Sequence, residues 1–349
     1  MARNKRDNAD AGRAGCRGPS YPFVLSSRAR LARNLEGLPF PIACGEEELE
    51  RARGMVLEAV SRRVSEERDW PVSFAEELSK NAIEMLAEDH VTGVSFSDRP
   101  AGRAVAVARD NGRSVIVNDE DHLRIQAVLP GAQFARVWKA VDEIDSMIER
   151  EVQYSFDQNT GYLTSCPSNV GTGLRISAML HLPALVISGE IGRTIRALGQ
   201  AGIYVRGLYG EGAGVVGNIF QIANKRTLGR TEEFIVSNMD MLVRQVVDNE
   251  RTARKMLARD EPLDLADRAY RSLGVIERCR RVSYYEALEL VSMVKLGVET
   301  EVLPVGDFDM LEVAGGIGPY HLREKLGGDA AEEEVEVERA VHLRRMIGL

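Results

Sequence analysis

Four short segments of the sequence combine arginines with glycines or carboxylates. They are residues 26–34 (SSRARLARN), 118–124 (NDEDHLR), 166–175 (CPSNVGTGLR) and 206–212 (RGLYGEG). Arginines from separate segments suit a polyphosphate, because each guanidinium is a permanently charged, planar fork of donors. The carboxylates Glu120 and Glu211 suit a cation opposite that phosphate, such as a guanidinium. The set predicts phosphoryl transfer, which depends on alignment and charge neutralisation more than on covalent chemistry.

Taken one at a time, these segments have ordinary structural explanations. An arginine cluster is usually a solvated face, and acidic or glycine-rich segments usually form turns. A lone cysteine before a proline, here Cys166, is more often structural than reactive. The four segments together favour a site over these separate explanations.

The elements that must position these segments are predicted from hydrophobic spacing. The pattern predicts helices over residues 46–67, 75–89 and 134–148, and strands at 104–108, 114–117, 203–205 and 218–222. A further helix is predicted to open after Gly173 and to run to Leu182, with Arg175 at its positive end. From residue 232 onward the pattern is helical, with a capping box at Ser283 and Glu286 and a last helix over 332–346.

This order of elements predicts a mixed α+β part followed by an all-helical part. We expect a disordered leader over residues 1–20, a catalytic domain over 21–258 and a helical C-terminal domain over 259–349. The net charge of −8 argues against non-specific nucleic-acid binding, which needs a basic surface. Apolar runs are too short for a membrane helix. The four cysteines show no zinc or disulfide spacing, which predicts no metal site and a reducing, cytoplasmic location.

Together the four segments resemble the motifs of the phosphagen (guanidino) kinase family, in the family's order, over roughly residues 24–240. Within that family, residues 31–34 (LARN), 181–185 (HLPAL) and 206–212 resemble a bacterial branch that phosphorylates arginine side chains in proteins. The resemblance implies an antiparallel sheet flanked by helices, followed by the all-helical domain. It also implies ATP and Mg²⁺, with the metal held mainly by the nucleotide phosphates.

The resemblance implies roles for individual residues. Glu120 would bind the substrate guanidinium and act as the base, Glu211 would be the second substrate carboxylate, and Cys166 would orient the guanidinium. The residues implied around the nucleotide are Ser26, Ser27, Arg28, Ala29, Arg30, His90, Arg124, Arg175, Ile176, Ser177, Ala178, Met179, Arg206, Gly207, Leu208, Tyr209, Gly210 and Glu211. Asp119 stands where the family usually has glutamate.

The resemblance also implies a cellular role and a set of partners. It implies a homodimeric, allosterically regulated stress-response kinase that marks proteins for Clp-type degradation. Its partners would be protein substrates with accessible arginines, a zinc-finger-type activator, a transcriptional repressor and a Clp protease, with no direct contact to nucleic acid or membrane. A kinase of free arginine or another small guanidine stays open as an alternative. So does a non-catalytic adaptor that binds a repressor or a protease.

Two features separate this sequence from other members. Small-metabolite kinases place a helical domain before the first arginine motif, which here begins at Ser26, so we expect a site open to an arginine on a protein surface. The bacterial branch binds phosphoarginine through an R-D-x-x-R-A motif. The corresponding run here is residues 335–340 (VEVERA), in which Arg339 and Ala340 match while Val335 and Glu336 do not. We therefore expect a weak response to phosphoarginine or none.

Overall fold

The structure, a computed structural model, describes residues 18–64, 70–110, 112–207 and 215–349. The described chain divides into two compact units. The first comprises the residues up to Leu78, with Val91–Ala178 and Ala223–Met241; the second comprises Ser79–His90, Met179–Ile222 and Leu242–Leu349. The predicted leader, apart from its last residues, lies outside the described residues.

The strands of the described chain confirm the predicted antiparallel sheet. They are β1 (Val24–Arg33), β2 (Val72–Phe74), β3 (Ala104–Val107), β4 (Arg113–Val117), β5 (Leu123–Pro130), β6 (Phe156–Asp157), β7 (Gly161–Tyr162), β8 (Leu174–His181), β9 (Ile203–Gly207) and β10 (Ile219–Asn224). All except β6 and β7 form one sheet of order β2-β3-β4-β5-β1-β8-β10-β9. The pairs β2–β3, β3–β4, β4–β5 and β5–β1 are antiparallel.

The helices agree with most of the predicted ones. They are α1 (Glu46–Ala59), α2 (Lys80–Glu88), α3 (Phe134–Glu149), α4 (Pro183–Ile187), α5 (Ile191–Gln200), α6 (Glu232–Asp260), α7 (Pro262–Arg278), α8 (Tyr284–Glu299), α9 (Met310–Gly316), α10 (Pro319–Lys325) and α11 (Glu332–Met346). The predicted helix over 75–89 is divided into a short 3-10 helix (Ala75–Glu77) and α2. The division occurs because the Ser79 side chain caps α2 by accepting from the Ala82 amide at 3.1 Å. None of these described helices has an apolar stretch able to cross a bilayer.

The segment after Gly173 is a strand, so the helix predicted there is wrong. β8 lies inside the sheet between β1 and β10, and only Arg175 among its residues is not buried. A strand covered on both faces loses its alternation and becomes a nearly continuous apolar run. Such a run cannot be distinguished from a buried helix by its spacing. The predicted positive helix end beside Arg175 is therefore wrong as well.

The helix α3 forms the core of the first unit by packing on β1 and β5. Its buried apolar residues are Phe134, Val137, Val141, Ile144 and Ile148. Each such side chain contributes ~1.5–3 kcal/mol relative to an exposed one. The packing holds the opposite face of β1 and β5 rigid, which is what a site on these strands requires.

Arg33, the third arginine of the first segment, is part of this core. Its Nε and Nη2 donate to one oxygen of Asp145 at 3.1 and 2.7 Å, and its Nη1 donates to the Thr172 carbonyl at 2.9 Å. The guanidinium also lies 3.5 Å from the ring centre of Tyr162. Because Arg33 is only 2% exposed, it ties β1 to α3 and to the glycine segment, and it is not available to a ligand.

The second unit contains a buried charged network between its helices. Glu250 accepts from two backbone amides at the start of α4, at 3.0 and 2.9 Å, and from Arg254 Nε at 2.8 Å. Lys295 is fully buried and donates to Asp307 at 2.5 Å and to the Phe308 carbonyl at 2.6 Å. Buried charges persist only when they are paired in this way, so Glu250 fixes α4 on α6 and Lys295 fixes α8 on the segment before α9.

Candidate active site

The predicted arginines of the first unit gather on one face of three adjacent strands. Arg28 and Arg30 are two residues apart on β1 and therefore share a face. Ala32, two residues further on, pairs directly with Arg124 of β5, which places Arg124 on that face too. On β8, Ser177 accepts from Arg28 Nε at 3.4 Å, and Arg175 lies two residues before it. The sheet thus converts distant sequence segments into one basic face.

The other residues of the same motifs face the opposite side of the sheet. Ser27 and Ala29 alternate with Arg28 on β1, and both are fully buried. The Ser27 hydroxyl accepts from the Gln133 amide at 3.1 Å, where α3 begins. Ile176 and Ala178 alternate in the same way with Ser177 and are also buried. Their side chains belong to the core, so only the alternate positions of each motif present a side chain to the basic face.

A small, open cleft lies on the basic face. Its lining residues are Arg30, Leu31, Ala32, Glu120, Asp121, Arg124, Asn169, Gly173 and Arg175. Gly173 has a φ of +66°, and a Cβ there would lie 2.5 Å from Arg33 Nη1 and 2.6 Å from the Ala32 carbonyl oxygen. Only glycine therefore lets this segment approach β1. The result is a cleft in which three arginines and Glu120 meet.

The acidic segment contributes three neighbouring carboxylates with three different environments. Asp119 is buried and lies 2.6 Å from Arg124 Nη1. Asp121 is also buried and accepts from Asn34 Nδ2 at 2.7 Å and from the Ser165 amide at 2.6 Å. Glu120 is exposed at the cleft. Two of the carboxylates are thus engaged by the protein, and the third is presented to the cleft.

The surroundings of Glu120 raise the pKa of its carboxyl group. Although the side chain reaches solvent, the main cause is loss of water around the carboxylate, followed by the charges of Asp121 and Asp119. Arg124 and a hydrogen bond with Cys166 oppose the rise in pKa. A carboxylate with a raised pKa is a better proton acceptor than an ordinary glutamate.

Asn34 and Asn118 hold the acidic segment, and the sequence interpretation assigned a role to neither. Asn34 Oδ1 accepts from the His122 amide at 2.9 Å, on the other side of its contact with Asp121. Asn118 has a φ of +56° and donates to the Leu49 and Gly102 carbonyls at 2.8 and 2.7 Å. Asparagine tolerates this left-handed conformation. A polar residue directly after an apolar strand was the available signal at Asn118, whereas Asn34 follows a strand rich in arginine and serine.

His122 is neutral in this segment. It is fully buried, and burial lowers its pKa to about 4. Its Nδ1 accepts from the Leu35 amide at 3.2 Å, and its Nε2 lies 3.8 Å from Cys44 Sγ. The histidine is therefore a structural support and not a proton carrier near neutral pH.

Cys166 lies on a segment that the protein fixes at several points. Its Sγ is 3.0 Å from Ser168 Oγ, and its carbonyl accepts from Thr164 Oγ1 at 2.8 Å. Thr227 Oγ1 donates to the Ser168 and Val170 carbonyls at 3.0 and 2.6 Å. The thiol thus stands beside Glu120 on an ordered backbone.

The remaining predicted site residues belong to the second unit or lie outside the described chain. In the second unit, Arg206 Nε donates to Gln221 Oε1 at 2.7 Å, Met179 is buried, and His90 follows α2 with a φ of +57°. Gly207 is the last residue of β9. Leu208, Tyr209, Gly210 and Glu211 lie outside the described residues. Among the described residues, no group of three or more His, Cys, Asp or Glu side chains is placed to hold a metal ion.

Comparison with known proteins identifies the family. The model of the "ATP:guanido phosphotransferase, C-terminal catalytic domain" matches residues 53–253, and that of the "Protein-arginine kinase McsB C-terminal domain" matches residues 262–348. The chain is 40% identical to a protein-arginine kinase of Symbiobacterium thermophilum over 94% of both chains. It is 37% identical to that of Bacillus subtilis over 95% of this chain and 92% of the relative. The chain belongs to the protein-arginine kinase family.

Solved structures place this protein-arginine kinase family member among the phosphagen kinases. The duplicated taurocyamine kinase of Schistosoma mansoni, solved with transition-state analogue components, superposes with a TM-score of 0.61 at 25% identity. The match covers 76% of this chain and 38% of that duplicated chain. A lombricine kinase shares the fold, with a TM-score of 0.58, 24% identity and 70% coverage of each chain.

Arg339, which matches the family's phosphoarginine motif, is engaged by the protein. It is fully buried; its Nε donates to the Ile317 carbonyl at 2.9 Å and its Nη1 to the Val282 carbonyl at 3.0 Å. Val335, one turn earlier on α11, is also fully buried. The guanidinium therefore links α11 to the backbone of two other segments.

We expect free phosphoarginine to bind this chain weakly or not at all. A phosphoryl group carries roughly −1.5 to −2 charges and needs bidentate cations, whereas Arg339 is fully buried and its Nε and Nη1 already serve two carbonyls. Calorimetric titration of phosphoarginine tests this expectation. Arg339→Ala should instead lower the free energy of unfolding by about 3 kcal/mol, because it leaves a cavity and unpaired carbonyls. Tight phosphoarginine binding that Arg339→Ala removes would contradict the expectation.

Proposed function

We propose that this chain transfers the γ-phosphoryl group of ATP to arginine side chains of proteins. The observation that carries the proposal is the cleft in which Arg30, Arg124 and Arg175 meet the exposed carboxylate of Glu120. Such a cleft offers cations to a polyphosphate and an anion to a guanidinium. The relatives named protein-arginine kinase, which match along almost the whole chain, support the same assignment.

In the proposed reaction, the arginines bind the phosphates and Glu120 holds the guanidinium in line with the γ-phosphorus. A bond forms between a guanidinium nitrogen and the γ-phosphorus, and the bond from that phosphorus to the ADP oxygen breaks. The proton lost by the nitrogen passes to Glu120, whose raised pKa favours this acceptance. Arginines already in place stabilise the charge on the transferring group without reorganisation.

We assign supporting roles to the other predicted residues. Glu211 is the second substrate carboxylate, Cys166 orients the guanidinium beside Glu120, and Arg28, Arg206 and His90 contact the nucleotide. Mg²⁺ would be held mainly by the nucleotide phosphates and would supply further neutralisation of their charge. This assignment fits the donor set of the cleft, in which Asp119 and Asp121 are already engaged by Arg124 and by the groups of Asn34 and Ser165.

We further propose a wider setting for this activity. The catalytic domain covers residues 21–258 and the helical C-terminal domain, which mediates dimerisation, covers 259–349; the family-model matches end and begin between these domains. The enzyme is cytoplasmic, which the free thiols of Cys44, Cys166 and Cys279 support. It acts in stress response with a zinc-finger-type activator, a transcriptional repressor and a Clp protease.

Mass spectrometry tests the proposed function directly. The chain is incubated with ATP, Mg²⁺ and an arginine-rich protein, and the products are analysed under conditions that preserve acid-labile phosphate. We expect phosphate on arginine residues, and none on a matched substrate protein whose arginines are replaced by lysine. Phosphorylation of free arginine alone would favour the small-guanidine kinase. Absence of both products with intact ATP would favour the non-catalytic adaptor.

A further inference from the structure

Two helices of the second unit are joined through the carboxylate of Glu88. Glu88 is the last residue of α2, and its two oxygens each accept a backbone amide of α10, from Tyr320 and His321, at 3.0 Å. Gly318 precedes this helix, and a Cβ there would lie 2.7 Å from Glu88 Oε2. The glycine thus lets the carboxylate approach, and the end of α2 is fixed on the start of α10.

His321 strengthens this junction with a second set of contacts. Its Nδ1 donates to Glu88 Oε2 at 2.8 Å, and its Nε2 lies 3.4 Å from Asp89 Oδ2. Hydrogen bonds that its imidazole donates to Asp89 and Glu88 raise the pKa of His321 to about 10, against the opposing effect of burial. The imidazole is therefore cationic at neutral pH, and it holds two consecutive acidic residues at the end of α2.

His90 follows these two residues directly and has an unfavourable backbone conformation. Its φ is +57°, and its amide donates to the Ala87 carbonyl at 3.0 Å. Glycine usually occupies this position after a helix, and another residue there costs ~1–2 kcal/mol. Such a conformation persists only when the surroundings determine it. The surroundings include Glu88 and Asp89, which His321 holds.

The helix that carries His321 is itself held on other sides. Arg339 Nε donates to the carbonyl of Ile317, the residue before Gly318, at 2.9 Å. Asn81 of α2 donates to the Tyr320 carbonyl at 3.2 Å and to Glu324 at 3.0 Å. α10 is therefore fixed in position relative to α2 by several hydrogen bonds.

We propose that His321 is a positioning residue for nucleotide binding: by holding Glu88 and Asp89 it fixes the left-handed backbone conformation of His90. This inference rests on the proposed function, which assigns His90 to the nucleotide. It adds to the proposed nucleotide site a side chain of the C-terminal helices that acts through Glu88 and Asp89. Loss of His321 lets the end of α2 relax, which raises the free-energy cost of holding His90 in its left-handed conformation.

Calorimetric titration with Mg·ADP tests the proposal without requiring phosphoryl transfer. His321→Ala should raise the Kd of ADP about three- to tenfold, and His90→Ala about tenfold, since a hydrogen bond to a charged group is lost. The double variant should bind no more weakly than His90→Ala alone, because both changes act through His90. His342→Ala is the matched control, because its imidazole lies 3.3 Å from Lys325 Nζ on the same helix α10 and not at Glu88; it should leave the Kd unchanged.

A purely structural role gives different results. Additive effects in the double variant, or an equal effect of His342→Ala, would overturn the proposal, as would an unchanged Kd in either His321→Ala or His90→Ala. If His321→Ala does not fold, His321→Gln keeps one hydrogen bond and should raise the Kd by a smaller factor. In the phosphorylation assay, His321→Ala is expected to raise the KM for ATP while its kcat stays within about twofold of that of the unmodified enzyme. Because ADP binding is measured separately, absence of arginine phosphorylation would overturn the proposed function and not this inference.

Discussion

Glu120→Gln is expected to lower phosphoryl transfer by about 10²–10⁴-fold while Mg·ADP binding persists. The amide keeps the size of the side chain but cannot accept the proton from the guanidinium, and it attracts that cation less strongly. Nucleotide binding persists because the arginines of the cleft are unchanged. Initial rates of arginine phosphorylation and calorimetry with ADP measure the two effects. Near-normal turnover in Glu120→Gln would remove Glu120 from the role of base.

The pH dependence of kcat/KM provides a second test of the role of Glu120. Because the pKa of Glu120 is raised and the base must be deprotonated, kcat/KM should fall on the acid side, beginning at a higher pH than for an ordinary glutamate. His122 adds no step near neutral pH, since its pKa is about 4. Glu143→Gln, an exposed change on α3, is the control and should keep both the rate and the profile.

Arg124→Ala is expected to lower kcat/KM by about 10²–10³-fold, the loss typical of one preorganised donor to a developing charge. The change also removes the partner of Asp119, which lies 2.6 Å away and is buried, so the free energy of unfolding should fall too. Arg124→Lys should recover stability better than activity, because lysine supplies the charge without the bidentate fork.

The control for Arg124 is Arg113→Lys on β4, where the arginine pairs with the exposed Asp110 at 2.6 Å. This change should alter neither stability nor activity appreciably, since lysine keeps the charge that faces Asp110, whose carboxylate is exposed. Denaturant unfolding and steady-state kinetics of each variant separate the effects on stability and on activity. Full activity in Arg124→Lys would contradict bidentate contact with a phosphate.

Most of the helices and strands that bury only one face were predicted from the sequence. α3 and α11 match their predicted ranges because their apolar residues recur with a helical period. The hairpin of β3 and β4 follows from alternation around a turn signal. β8 was mistaken for a helix because it is buried on both faces, and the bounds of α2 depended on a local cap at Ser79.

The candidate site was predicted at the level of residue types and less well at the level of orientation. Arg28, Arg30 and Arg175 of the first and third motifs lie on one face of the adjacent strands β1 and β8, whereas Arg206 of the fourth motif belongs to the second unit. A motif is contiguous in sequence, however, whereas a strand presents alternate residues, so Ala29 and Ile176 turned out to be core residues. The burial of Arg339 depends on packing between α11 and distant carbonyls, which no local pattern reveals.

The acidic segment has a consequence for how this sequence can evolve and be engineered. Asp119, Glu120 and Asp121 have the same chemistry, but each meets a different partner through its place in the segment. Insertion or deletion of one uncharged residue beside this run would move every carboxylate to its neighbour's partner without changing the net charge. Homologues should therefore accept conservative replacement in this run but not a change of its length. Libraries aimed at new guanidine substrates should keep the run fixed and vary the residues around the cleft instead.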